Sequence, residues 1–304
     1  MNKCKLAQEL IDAIIGDLHD DAWTLRSCSL VCRSWLPTSH RHFFHRIVFS
    51  PPGKCYYRSP RDVSYRYSKR LYRLSLDSPY VSNYIQELKV YEGQRLKGQA
   101  WIETDQILPF LLRRLTNLKR IEFLRLNWIA LSLNLRRSIC CVLELPSMRF
   151  VEIEHAYFAN MEDFGSLLRR AEGLTGLSLT SIHMNDLTHK DREAEEGEQR
   201  LDSHQQRHLV NLRLALGKYP VLVDWLLGSR SPWDVSHIRT LHILDFCRSN
   251  ANTINRLLHG IGKSLRHLQL YAPWDLRSEL LGPISNGNPF PDLSRPCSFL
   301  FMHR

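Results

Sequence analysis

The sequence lacks any apolar run near the ~18 residues needed to cross a bilayer, so no membrane partner is expected. Its start, Met-Asn-Lys-Cys-Lys, is followed by Gln8, Glu9 and Asp12, where a secretory signal would need an uncharged apolar stretch. Eight cysteines are present, but none form C-x-x-C and no clusters have zinc-ligand spacing. They read as reduced, mostly buried thiols in a cytoplasmic or nuclear protein. There is no G-x-x-x-x-G-K loop, no G-x-G-x-x-G turn and no G-x-S-x-G elbow. His204 and His208 in "HQQRH" are four apart, but no carboxylate or cysteine set lies near them in sequence. With His40, His42 and His45 in "SHRHFFH" and the acid pair Glu195–Glu196, they read as solvated groups. No catalytic residue, no cofactor and no metal is therefore expected, and the chain is not read as an enzyme.

What the sequence does carry is positive charge: 41 Lys and Arg against 31 Asp and Glu, a net +10. The densest stretch is Arg58–Arg73, through Arg61, Arg66, Lys69 and Arg70. It is interleaved with Tyr56, Tyr57, Tyr65, Tyr67 and Tyr72. Aromatics among arginines stack bases in some proteins. Here neither an RNP-like signature nor a finger pattern accompanies them, and the charge is otherwise dispersed. The stretch reads as a solvated linker, so nucleic acid is not the expected partner; a nucleic-acid-binding repeat protein is the alternative.

Apolar surface is concentrated at the start. Leu6, Leu10, Ile14 and Leu18 recur every fourth residue, with Ile11 and Ile15 beside them, which predicts an amphipathic helix. Asp20 or Asp21 is placed to cap a second helix. Leu25, Cys28, Cys32 and Trp35 would share one face of it, widened by Leu30, Val31 and Leu36, and Pro37 would end it. A third segment carries Phe43, Phe44, Ile47 and Val48. So small a module cannot bury all this surface itself. The stretch "LAQELIDAIIGDL…LRSCSLVCRSWLPTSHRHFFHRIVF" resembles an F-box. The pattern's residues fall on Leu6, Glu9, Leu10, Ile14, Leu18, Leu25, Cys28, Val31, Cys32, Arg33 and Trp35, then Phe43 or Phe44. Ala7 stands where that family usually has proline. The wording is also similar to F-box proteins of mushroom-forming fungi. The resemblance implies docking onto the Skp adaptor of a cullin–RING ubiquitin ligase. The adaptor-binding residues would be Leu6, Leu10, Ile14, Leu18, Leu25, Cys28, Val31, Cys32 and Trp35.

Further along, an apolar-x-x-apolar-x-apolar hexamer recurs seven times: "IQELKV" (85–90), "LKRIEF" (118–123), "MRFVEI" (148–153), "LTGLSL" (174–179), "LVNLRL" (209–214), "IRTLHI" (238–243) and "LRHLQL" (265–270). Segments of helical periodicity lie between the copies. A strand and a helix repeated in this way predict a solenoid, similar to the leucine-rich-repeat architecture but without that family's asparagine ladder. The expected fold class is thus α/β: a small N-terminal helical F-box followed by an irregular leucine-rich-repeat-like solenoid. Strand alternation turns the fourth and sixth hexamer residues into the core and the third, fifth and seventh outward. The predicted substrate face comprises Lys89, Tyr91, Glu122, Glu152, Glu154, Arg213, His242, Gln269 and Tyr271. The charged stretch Asp186–His208 reads as a solvated insert.

The expected organisation is an F-box over 1–50, a Tyr/Arg-rich linker over 51–83 and the repeat region over 84–304. Near the end, "SNGNPFPDLSRPCSFLFMHR" reaches Phe299, Leu300 and Phe301 without a polar cap, so the region is expected to be incomplete or frayed there. The expected function is substrate recognition for a Skp–cullin–F-box ligase, with a protein substrate of unknown identity. An F-box protein acting outside a ligase is a further alternative.

Overall fold

A computed structural model of the chain describes residues 6–50, 60–92, 101–185, 207–215, 221–229, 231–271 and 299–301. The chain divides into two compact units, Met1–Met148 and Arg149–Arg304.

In the first unit the apolar four-residue spacing forms α1 (Gln8–Asp17), and Asp21 caps α2 (Ala22–Cys28). The Asp21 Oδ1 accepts from the N–H groups of Trp23 and Thr24, both at 3.0 Å. α2 is shorter than its apolar pattern predicts. It stops at Cys28, and the chain turns through residues 29–35, so Cys32 and Trp35 are not on α2. Pro37 does not end that helix but sits in the first turn of α3 (Leu36–Phe43), where its missing N–H costs nothing. Ile11, Ile15 and Leu25 form the centre of this trio, with Leu18, Trp35 and Phe43 packed against them. Asp12 of α1 accepts hydrogen bonds from Thr38 of α3 and from Gln8.

β1 (Arg46–Phe49) follows at once, then α4 (Pro60–Asp77), α5 (Tyr80–Tyr84), β2 (Glu87–Tyr91), α6 (Trp101–Thr104), α7 (Leu108–Leu112), β3 (Arg120–Leu124) and α8 (Leu133–Leu143). β1, β2 and β3 are parallel neighbours in that order. α4 and α5 fall in the stretch read as a linker. Tyr72 of α4 packs on Phe110 of α7, and the Ser68 hydroxyl donates to Asp105. Tyr56, Tyr57 and Arg58 lie outside the described residues.

The second unit runs β4 (Phe150–Phe158), α9 (Met161–Arg169), β5 (Gly176–Met184), β6 (Arg207–His208), β7 (Asn211–Ala215), α10 (Val221–Leu227), β8 (Trp233–Asp234), β9 (Thr240–Ile243), α11 (Ala251–Ile261), β10 (His267–Leu270) and β11 (Phe299–Phe301). Its main sheet has the order β4-β5-β7-β9-β10-β11, parallel except for β11, and β6 pairs β8 separately. Phe158, Phe164, Trp225 and Trp233 form a chain of edge-to-face aromatic contacts beneath it, with centroids 5.1–5.9 Å apart. Gly176 lies opposite Phe150, whose ring would stand only 2.4 Å from a Cβ there, so this strand position needs a glycine. Between β4 and β5 the register skips His155 and Ser181 together. Both have positive φ (53° and 52°), a paired bulge that twists the two strands alike.

These findings correct the expected fold class. The protein is α/β with largely parallel sheet flanked by helices, not a helical module followed by a solenoid. The N-terminal helices are not a separate module because β1, within residues 1–50, is a sheet strand. The carbonyl of His45, just before it, accepts from the N–H groups of Gln86 and Glu87 at 3.0 and 2.9 Å. The remainder is not a repeat array because the connections do not repeat. They include a five-residue α7, an eleven-residue α8, single 3-10 turns, the side pair β6–β8 and the antiparallel β11. The hexamer records only that a strand enters over a buried apolar residue and buries one face. That requirement is common to any covered parallel sheet. Most of the charged insert (186–206) and the segment 272–298 lie outside the described residues, while β11 pairs antiparallel along β10.

Candidate functional site

Two surfaces gather the residues singled out in the sequence. The first is the helical trio. Of its nine expected contact residues, Leu25 and Cys28 are buried, and Leu18 and Trp35 are packed into the trio's own core. Cys32 is half-buried, its Sγ 3.0 Å from Ser34 Oγ. Leu25, Leu18 and Trp35 thus belong to the trio's own core. Leu6, Leu10, Ile14 and Val31 are exposed. Leu10 and Ile14 are one turn apart on α1, so they share a stripe. Two residues outside the expected set are more exposed still: Trp23 at 76% and Leu30 at 82%. Leu30 was expected to widen the face of Leu25 and Cys28, but α2 ends at Cys28 and leaves it in the turn that follows; Trp23 was not singled out. Arg26 stacks its guanidinium 5.8 Å from the Trp23 ring centre, so the indole is flanked by charge on one side.

The second surface is the polar side of the sheets, and each unit presents its own. In the first unit Val48, Lys89 and Glu122 are directly opposite one another on β1, β2 and β3. Glu122 is only 6% exposed, yet three cations reach it: Arg120 Nε at 2.7 Å, Lys89 Nζ at 3.0 Å and Arg46 Nη2 at 3.6 Å. Burial pushes its carboxyl up, but the Lys89 hydrogen bond and the charges of Arg120, Lys89 and Arg46 outweigh that and hold it below its usual range. Arg120, the third residue of its hexamer, stands at a position expected to point outward but was not among the named face residues; Arg46 lies before the first hexamer and was not anticipated. Tyr91, half-buried at the strand end, accepts at its carbonyl from the indole N–H of Trp101 at 2.9 Å.

In the second unit the register lines up Glu152, Ser178, Arg213, His242 and Gln269 in one row across β4, β5, β7, β9 and β10. Arg213 Nη1 reaches over β5 to within 3.7 Å of Glu152, and the Ser178 hydroxyl donates to the same carboxylate at 3.5 Å. Burial, then the charges of Arg213 and His267, lower the pKa of His242, so it presents a neutral ring. Glu154 starts a second row with Thr180 and Ala215. Beyond the paired bulge, Tyr157 stacks on His183 with centroids 4.8 Å apart. The long continuation of β4 and β5 past their hexamers, which carries this pair, was not anticipated. Tyr271, half-buried after β10, donates its N–H to Ile243 and accepts from the N–H of Phe246. The expected face residues of this unit thus share one side of one sheet. Glu152, Arg213, His242 and Gln269 set an acid, a cation, an imidazole and an amide along it, over the buried Ser178 hydroxyl, which suits hydrogen bonding to peptide groups and mixed side chains.

Among the described residues no helix is long and apolar enough to cross a membrane. No family model matches the sequence, and no curated protein matches it.

Proposed function

We propose that this chain is a substrate-recognition subunit. Its N-terminal helices would dock on the Skp adaptor of a cullin–RING ubiquitin ligase, and the polar sheet face would hold a protein substrate. The reading rests on the F-box-like pattern of residues 5–50 and, above all, on one observation. The helical trio has a filled core of Ile11, Ile15 and Leu25, yet leaves Leu10, Ile14, Trp23, Leu30 and Val31 in water. Apolar side chains left over once a core is complete mark an interface, and helices presenting them suit a groove on a helical partner. The chain itself would do no chemistry. Holding ligase and substrate together makes ubiquitin transfer effectively intramolecular. Such a subunit works in the cytoplasm or nucleus.

The docking test uses the full chain and a purified Skp adaptor. Trp23→Ala combined with Leu30→Ala should weaken adaptor binding more than ~30-fold, as loss of a hot spot of ~2 kcal/mol or more implies. Thermal unfolding should be unchanged, because both side chains are exposed. Trp35→Ala should instead lower the unfolding temperature, since its ring packs against the trio core. Wild-type chain that fails to retain the adaptor, or a double variant that retains it fully, would defeat the proposal.

A further inference from the structure

The side pair β6–β8 carries a cluster that neither surface uses. His208 and Asp234 face each other across the pair, and His237 returns to them through the 3-10 turn Val235–His237. One ligand atom from each of the three lies within 4.8 Å of the others. We infer that His208, Asp234 and His237 form a binding site for a divalent transition-metal ion, Zn2+ foremost. The inference does not depend on the docking proposal.

Several features hold the three groups in place. The Asp234 Oδ1 accepts the N–H of Ser236 at 2.9 Å, which orients the carboxylate and turns Oδ2 toward the histidines. Oδ2 stands 3.0 Å from Nδ1 of His237. The His208 and His237 rings lie with centroids 3.9 Å apart, a contact an ion between their nitrogens would turn from crowding into ligation. The backbone on both sides is anchored: Leu209, Trp233 and Val235 are all buried. Arg207 points away on the alternate face, its guanidinium donating to the Arg169 carbonyl at 2.6 Å, so its charge does not oppose a cation. Tetrahedral zinc with bonds of ~2.0–2.1 Å puts its ligand atoms about 3.3 Å apart. Closing from 4.8 Å takes small rotations of two exposed imidazoles. Two nitrogens and one carboxylate oxygen favour Zn2+, Co2+ or Ni2+ over Ca2+ or Mg2+. Three protein ligands leave one position for water or for a group from a partner.

The ion would also account for a pairing that is otherwise thin. β6 and β8 are two residues long each, too short to hold one another by backbone hydrogen bonds alone. A ligand from each strand and one from the following turn would clip them where the charged insert ends. In the sequence His208 was considered with His204, which lies outside the described residues. The informative signal was Asp234-x-x-His237, whose first residue also caps the turn.

The full chain, stripped by chelator, is titrated with Zn2+ and, as a spectroscopic stand-in, Co2+. Wild type should bind one equivalent that His208→Ala, His237→Ala and Asp234→Asn each lose, with affinity falling at least ~100-fold, beyond what loss of a mere supporting contact costs. Co2+ should give four- or five-coordinate d–d bands without a thiolate charge-transfer band. Zn2+ should raise the unfolding temperature of wild type alone. Circular dichroism should show the variants folded; Asp234→Asn keeps the Oδ1 acceptor of the turn and serves as the variant least able to fail by unfolding. Equal stoichiometry and affinity in wild type and Asp234→Asn, or Co2+ bound only with a thiolate band that His208→Ala leaves unchanged, would overturn the site.

Discussion

The first thirty-one residues and the whole second unit treat apolar side chains in opposite ways. Leu6, Leu10, Ile14, Trp23, Leu30 and Val31 are all exposed in the former; among the described residues of the latter only Tyr157 and Val221 are large, apolar and exposed. Both regions have a filled core. The trio's is a few side chains around Ile11, Ile15 and Leu25, whereas the second unit buries Phe158, Phe164, Leu177, Leu212, Leu241 and many more. Where a core is large, apolar residues find places in it. Where three short helices offer so little interior, the surplus is left for something else to cover. Excess apolar content in a segment too small to bury it is therefore informative, and the same content in a sheet-forming segment is not.

Equal truncations in the two regions give the widest separation. Phe164→Ala removes a ring that is 0% exposed and packed edge-to-face on Phe158 and Trp225. It should cost about 3–5 kcal/mol, read by denaturant unfolding. Leu30→Ala, at 82% exposure, should stay within about 0.5 kcal/mol. Comparable losses from both would mean that Leu30 is covered by the chain itself, and the contrast between the regions would collapse.

The contrast also marks what was readable beforehand. All seven hexamers are strands, and in every case the strand begins at the hexamer's third residue, from Glu87 in β2 to His267 in β10. The fourth and sixth positions point inward as alternation requires, for example Leu88 and Val90, or Leu241 and Ile243. The shared face of Glu152, Arg213, His242 and Gln269 was legible for the same reason. Connections were not, because a six-residue pattern holds no information about what joins it to the next. β1 was missed since only Phe49 of its four residues is buried, and β6 and β8 because two residues have no period. On the helices, the i, i+3, i+7, i+10 spacing from Leu25 to Trp35 matched one face of a helix that in fact ends at Cys28. Cys28 and Trp35 both reach the trio's interior, but from different segments.

The two polar faces differ in how closely cations gather on their carboxylates, and acid tests the tighter cluster. Glu122 is sunk among three cations at 2.7–3.6 Å, whereas Arg213 stands 3.7 Å from Glu152 and the Ser178 hydroxyl 3.5 Å from it. Because its folded pKa lies below the usual 4.5, Glu122 contributes stability that is complete above that value and fades as pH falls through the lower folded one. Glu122→Gln should cost about 1–3 kcal/mol at neutral pH by removing the carboxylate that Arg120, Lys89 and Arg46 share and leaving a buried amide in its place. It should also flatten the loss of stability below pH 4.5. An acid limb of unchanged steepness in the variant would show that Arg46, Lys89 and Arg120 are satisfied by solvent.

The smallest effect concerns how helices begin. In the second unit Asn160 caps α9, its Oδ1 accepting the N–H of Asp163 at 2.8 Å. In the first, the corresponding position of α1 is Ala7, which has the extended backbone of a cap (φ −61°, ψ 145°) but no side chain to accept a hydrogen bond. Asn160→Ala should therefore cost about 1 kcal/mol, and Ala7→Ser should gain about 0.5–1 kcal/mol, both measured by thermal unfolding. Ala7 lies beside Leu6 and one turn before Leu10, so the serine also probes the docking stripe. A stabilised variant that still captures the adaptor would place the contacts on the apolar side chains. If Ala7→Ser gains stability and loses the adaptor, the start of α1 must loosen for docking, and the apolar surplus is then only part of the interface.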